Sequence, residues 1–252
     1  MTHRADLLRT SEANILQHRD LHEGNLCIRQ TKPPLPKTDT SPCQFDYSGL
    51  EITILDYGLS RAEDPEPAPG TNSVPVAYDL EKDLSIFTST HAAQCRVYRE
   101  MRSFLLQSDR NHLPPSAHDT PYAADVNGVP ISWATHHPYT NVLWLAYIYR
   151  YLVEHFRGDK KELMGFRRMT KELWTHLNPE APRHVLSFPS ACDVVRYAAE
   201  AGWITKGQLI DESSRVEEEE SIILEARTEE TTAHLRRSPR RTVIEGRDVV
   251  YK

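Results

Sequence analysis

The chain has 252 residues, 39% hydrophobic and 26% charged, which is enough apolar material for a core of one large domain or two small ones. The longest wholly apolar or aromatic run, Val142 to Tyr149, is far too short to cross a bilayer, so a helical membrane span is excluded. A net charge of −6 gives no general reason to expect direct nucleic-acid binding and suits basic peptide partners.

Residues 1–17 read as the end of a helix, with Leu7, Leu8, Ile15 and Leu16 as its apolar positions. They run into His18-Arg19-Asp20-Leu21-His22-Glu23-Gly24-Asn25. Leu26-Cys27-Ile28-Arg29 predicts a short strand. Pro33, Pro34, Pro36 and Pro42 prevent regular structure over 31–49, making a proline-rich insertion before a second strand at Glu51–Leu55. The two strands form a hairpin with Asn25 and Asp56 at its ends. After Arg61 a second proline-rich stretch holds Pro65, Pro67, Pro69 and Pro75.

From about Tyr78 the pattern is helical. Cys95, Tyr98, Met101 and Leu105 recur at helical spacing, as do Leu145, Ile148, Tyr149 and Leu152, with Thr140 or Asn141 as cap and Gly158 as stop. Leu163, Phe166, Leu173 and Leu177 predict a further helix, and Ser190 with Asp193 a capping box opening a helix that ends at Gly202. The fold class is α+β: a mainly helical lobe over 1–206 with a small hairpin at its active edge. Residues 207–252 form a charged, largely disordered tail, with an acidic run at Glu217–Glu220 and basic residues around Ser238-Pro239.

Two fragments carry the chemistry. His18 to Asn25 fits H-R-D-x-x-x-x-N, and Asp56-Tyr57-Gly58 follows the apolar stretch Ile52 to Leu55. Phosphoryl transfer needs positioned carboxylates and amides more than covalent help, so an aspartate to orient a hydroxyl and hard oxygen ligands for Mg²⁺ belong in this order. Asp20 is the candidate base. Asn25 and Asp56 are the candidate metal and nucleotide ligands, and His22 lies where it could reach a phosphate oxygen. Arg19 completes the catalytic candidates. Either fragment alone reads as a chance triplet or an ordinary Asp-x-Gly turn. His18, His22 and Glu23 could also suggest half a zinc site, but Gly24 and Asn25 oppose a helix there and further ligands at familiar spacing are missing. Cys27, Cys43, Cys95 and Cys192 form no C-x-x-C pair and read as reduced intracellular thiols.

These motifs, with Ile54-x-Asp56-Tyr57-x-Leu59-Ser60-Arg61 and above all His137-Pro138-Tyr139-Thr140-Asn141-Val142-Leu143-Trp144-Leu145, resemble the haspin-like serine/threonine protein kinases over residues 10–206. The resemblance implies a kinase C-lobe using ATP and Mg²⁺. It also implies an activation segment held without loop phosphorylation, and a basic protein substrate, the Ala-Arg-Thr histone tail, modified in mitosis. The implied location is the nucleus, with the cytoplasm as a second compartment. Asp79, Glu81 and Asp83 are the candidate substrate-binding acids.

Three departures set further expectations. No glycine-rich loop, nucleotide-contacting lysine or hinge precedes His18, so the N-lobe is expected to be missing and the isolated chain inactive. Arg96 falls where the family has an aspartate anchoring the catalytic loop. Ser89-Thr90-His91-Ala92 falls where the family places acids. Two alternatives follow: a catalytically inactive kinase remnant acting as a binding module, and a small-molecule phosphotransferase sharing the loop.

Overall fold

The computed structural model describes residues 16–33, 48–64, 70 and 72–204. Contacts divide the chain into Met1–Trp203 and Ile204–Lys252, and of the second unit only Ile204 is described. The helix expected before Leu16, Cys43, most of the two proline-rich stretches and the charged tail lie outside the described residues. Gln17, expected to be helical, instead forms an isolated antiparallel bridge with Arg61.

The described chain is mostly helical with two small sheets. Strands β1 (Leu26–Gln30) and β2 (Leu50–Ile54) pair antiparallel with Leu26 opposite Ile54 and Ile28 opposite Ile52. Strands β3 (Arg61–Ala62) and β4 (Val76–Ala77) make the second pair. A short helix α1 (Ser85–Thr88) leads into α2 (Gln94–Gln107), and a long connection reaches α3 (Tyr139–His155). Helices α4 (Lys160–Met169), α5 (Lys171–Leu177) and α6 (Ala191–Glu200) follow. Among the described residues no helix is long and apolar enough to cross a membrane.

The core lies where α2 meets α3. Cys95, Tyr98, Met101 and Leu105 are all buried, as the spacing predicts. Trp144, wholly buried, meets Tyr98 edge-on at 5.4 Å and Tyr147 at 5.7 Å between ring centroids. The buried stripe of α3 is Val142, Leu143, Ala146, Tyr147 and Val153, rotated from the expected face, and Leu152 is exposed.

Two boundaries also differ. Pro138 is the N-cap of α3, and Thr140 and Asn141 lie inside the helix, because their side chains are engaged by residues 16–18. The expected helix through Leu163 and Leu177 is two, broken at buried Thr170, whose hydroxyl bonds the Phe166 carbonyl at 2.8 Å and the Tyr149 hydroxyl at 2.7 Å. At α6 the capping box is as read: Ser190 accepts from the Asp193 amide, and Gly202 follows the helix at φ +71°.

Candidate phosphoryl-transfer site

Residues 16–18 run across the first turn of α3 and are tied to it by side chains. Gln17 Nε2 donates to Thr140 Oγ1 at 3.1 Å, and the His18 amide donates to Asn141 Oδ1 at 3.2 Å. Asn141 Nδ2 in turn donates to the Leu16 carbonyl at 2.9 Å. The loop is therefore fixed by residues more than a hundred positions away. Arg96 takes no part: its guanidinium is engaged by Glu100 at 2.8 Å and by Glu180.

Arg19 sits at φ +64° and is 1% exposed. Burial, with Arg61 nearby, lowers its pKa to about 10. Its partners are neutral: the Trp133 carbonyl, Gln17 Oε1 at 3.1 Å and the Tyr78 carbonyl at 3.4 Å, with the Trp133 ring 5.3 Å away. A buried cation held by oriented dipoles and a π-face locks the backbone of the residue before Asp20.

Asp20 is partly buried beneath that lock. The Tyr98 hydroxyl donates to Oδ1, Asn25 Nδ2 lies 3.3 Å from Oδ2, and His22 Nε2 lies 3.8 Å from Oδ1. Burial raises the Asp20 pKa above the ordinary aspartate value, against the opposing pull of Tyr98, His22 and His18. Asn25 Nδ2 also donates to the Asp20 carbonyl at 2.8 Å, so its Oδ1 remains available. His22 Nδ1 accepts the Gly24 amide at 3.0 Å, and a Cβ on Gly24 would lie 2.7 Å from His22 Cε1.

The hairpin brings Asp56 to the same edge. The Leu55 amide donates to the Asn25 carbonyl at 2.9 Å, and His18 Nε2 donates to the Leu55 carbonyl at 2.9 Å. Asp56 is exposed, at φ +56°, with Oδ1 accepting the Gly58 amide at 3.1 Å. Among the described residues, two of the three non-glycine residues with positive φ are thus Arg19 and Asp56, a conformation side chains adopt at a cost. Asn25 Oδ1 and the Asp56 carboxylate are hard oxygens of the kind Mg²⁺ takes together with phosphate and water. Among the described residues no group of three or more His, Cys, Asp or Glu could hold a metal by itself, and the half zinc site finds no further ligand.

The substrate candidates follow Tyr78, whose carbonyl accepts from Arg19, and their carboxylates serve local structure. Asp79 Oδ1 accepts the Glu81 amide, and Asp83 Oδ1 accepts the Ser85 amide. Glu81 is gripped by the fully buried Arg102 at 2.8 and 2.9 Å.

A sequence profile described as "Haspin like kinase domain" matches residues 3–194. The chain belongs to the haspin-like kinase family. It is 28% identical over 195 residues to the serine/threonine-protein kinase haspin of Mus musculus, covering 75% of this chain and 21% of that protein. To the haspin of Bos taurus it is 26% identical over 192 residues, covering 75% and 20%. To the haspin homolog of Drosophila melanogaster it is 29% identical over 134 residues, covering 52% and 18%. The chain spans about a fifth of the length of these relatives.

Tyr98, Trp133 and Gln17 were not legible as site residues in the sequence. Tyr98 reads as one more apolar position of α2, and Trp133 meets Arg19 from 114 positions away, through its carbonyl and its ring, with no motif to mark it.

Proposed function

We infer that this chain is the C-lobe of a serine/threonine protein kinase, spanning residues 1–206, that directs transfer of the ATP γ-phosphate to a protein hydroxyl. The observation that carries the reading is Asp20: a half-buried carboxylate with raised pKa, fixed by Tyr98 and Asn25, with Asp56 brought to the same edge. In the transfer, Asp20 orients the acceptor hydroxyl and takes its proton as the new O–P bond forms and ADP leaves with the electrons of the breaking bond. Mg²⁺, when bound with ATP, neutralises phosphate charge, and Asn25 Oδ1 and Asp56 are the oxygens that fit it. His22 stands where it could hold a phosphate oxygen, and Arg19 keeps the loop in shape.

The acceptor class is a serine or threonine of a protein. A basic histone tail, and with it a mitotic role in the nucleus, is supported by the exposed Asp79 and Asp83; Glu81 is already taken by Arg102. A second reading, a binding module without catalysis, is favoured by Arg96, which turns to Glu100 and Glu180 instead of the loop.

To test the reading, the chain is joined behind a haspin-type nucleotide-binding lobe and assayed with Mg²⁺, ATP and serine and threonine peptides. Transfer that falls by about a thousandfold in Asp20→Asn supports it, given the size of effect expected for a positioned base. Transfer indifferent to Asp20→Asn, or none although ATP binds, supports the binding module. The chain alone is expected to show no turnover above the Asp20→Asn control.

A further inference from the structure

The ten residues of α4, Lys160–Met169, hold four cations and one acid, in a chain whose net charge is −6. Helical spacing gathers the cations on one side. Lys160, Met164 and Arg168 follow one another at steps of four, and Lys160 with Arg167, like Lys161 with Arg168, lie seven apart; all five residues are exposed. Glu162 falls on the other side, in line with Phe166, whose ring stacks on Tyr149 of α3 at 5.8 Å between centroids. The helix is thus seated through Phe166, and its far face carries Lys160, Lys161, Arg167 and Arg168 around Met164.

Among the described residues no carboxylate answers these charges: none of the four cations forms an ion pair or a side-chain hydrogen bond with another described residue. The neighbouring acids are committed elsewhere. Asp159 Oδ1 caps the helix by accepting the Lys161 amide at 2.9 Å, and Glu172 hydrogen-bonds Tyr197 of α6. Lys171, exposed and likewise without an ion pair among the described residues, opens α5 just beyond.

Like charges gathered on one helix face repel one another, and a bound anion relieves that repulsion. The geometry chooses among anions. At 1.5 Å per residue α4 is about 15 Å long, the reach of about four or five extended peptide residues. Met164, 63% exposed among the cations, offers a polarizable apolar contact that a phosphate backbone does not use. The net charge of −6 repels a long polyanion such as duplex nucleic acid wherever it overruns the patch. A lipid surface needs an apolar row to enter it, and Phe166 is turned to Tyr149 instead. A short acidic peptide with one apolar side chain meets all these conditions.

We propose that this face of α4 docks a short acidic segment of a partner protein, with Lys160, Lys161, Arg167 and Arg168 on its carboxylates and Met164 against an apolar side chain between them. The partner is distinct from the phosphate acceptor, since a basic tail suited to Asp79 and Asp83 is repelled from this face. Arginine forks take carboxylates in paired hydrogen bonds, and lysines add point charges that tolerate changes of register.

The test is peptide binding without nucleotide, so its outcome is separate from phosphotransfer. Three labelled peptides are compared: glutamates flanking a central leucine, the same with glutamines for the glutamates, and the same acids with serine for the leucine. Fluorescence anisotropy at low ionic strength should show the first about tenfold tighter than the glutamine peptide, with most of that gain lost at high salt. The double variant Lys160→Gln with Arg168→Gln should lose the preference with melting unchanged, since both side chains are exposed and hold nothing else described. Lys32→Gln, at an exposed cation near the hairpin, should keep it. Met164→Ser should weaken the leucine peptide severalfold and leave the serine peptide unchanged. Absence of a glutamate preference overturns the proposal, as does a preference that survives the double variant or falls equally in Lys32→Gln. Tighter binding to a short DNA duplex, or to phosphatidylserine vesicles, than to the glutamate peptide overturns it as well. Failure of phosphotransfer with the glutamate preference intact would count against the kinase reading alone.

Discussion

Gln17, His18 and Arg19 are each at most 5% exposed, whereas Ile28 and Ile52, on the hairpin that ends in Asn25 and Asp56, and Tyr57 just beyond it are at least half exposed. The two regions adjoin, and each supplies part of one candidate site. The loop is held from outside itself: by Thr140 and Asn141 of α3, by Tyr98 of α2 and by the Trp133 carbonyl. The hairpin is held mostly by its own ladder, and its register gathers Leu26, Ile28, Leu50, Ile52 and Ile54 on one face. A two-stranded hairpin is marginal without a packed face. The difference teaches that the side of the site around Asp20 is built by this chain, while the side carrying Asp56 is open.

The strongest way to break that contrast is to remove one side chain from each region. Trp144→Ala, in the packing between α2 and α3, should cost about 3–5 kcal/mol in urea denaturation. Ile52→Ser, on the exposed hairpin face, should stay within about 0.5 kcal/mol. Equal losses would mean that the hairpin is packed as tightly as the core.

Acid should act on the buried region next. His118 is fully buried, and burial, reinforced by Arg102 and Arg99, lowers its pKa from 6.5 to about 4. Between those values the unfolded chain binds a proton that the folded chain refuses. This contribution to stability is complete above pH 6.5 and is lost as pH falls towards 4, by about 3 kcal/mol. His118→Phe should flatten that limb of the stability profile measured by denaturation at successive pH values.

A smaller effect sharpens the contrast at the loop itself. Asn141→Ala removes the acceptor of the His18 amide and the donor to Leu16, and should cost about 1–3 kcal/mol. Hydrogen exchange should speed up at the His18 amide and stay unchanged at Cys27 in the hairpin. Faster exchange at both would show that α3 holds the two regions together.

Much of this was legible in the sequence where a residue type alone determines its use. His18-Arg19-Asp20 with Asn25 and Asp56 gave the cluster, the spacing of Cys95, Tyr98, Met101 and Leu105 gave α2, and Ser190 with Asp193 gave the start of α6. What stayed hidden depends on which partner wins. Asn141 reads as a helix cap, yet the loop's backbone takes its side chain. Glu81 reads as a free acid, yet Arg102 reaches it from α2. Arg19 reads as part of a motif, but two of its hydrogen-bond partners are the main-chain carbonyls of Tyr78 and Trp133, which leave no trace in side-chain identity.

The most direct measurement is the titration of the Asp20 carboxyl by carbon-detected NMR, in the native chain and in Tyr98→Phe. Burial should place the native pKa above that of an ordinary aspartate, and loss of the Tyr98 hydrogen bond, which pulls it down, should raise it further. An ordinary value that Tyr98→Phe leaves unmoved would contradict the claim that this chain by itself builds and holds the side of the site around Asp20.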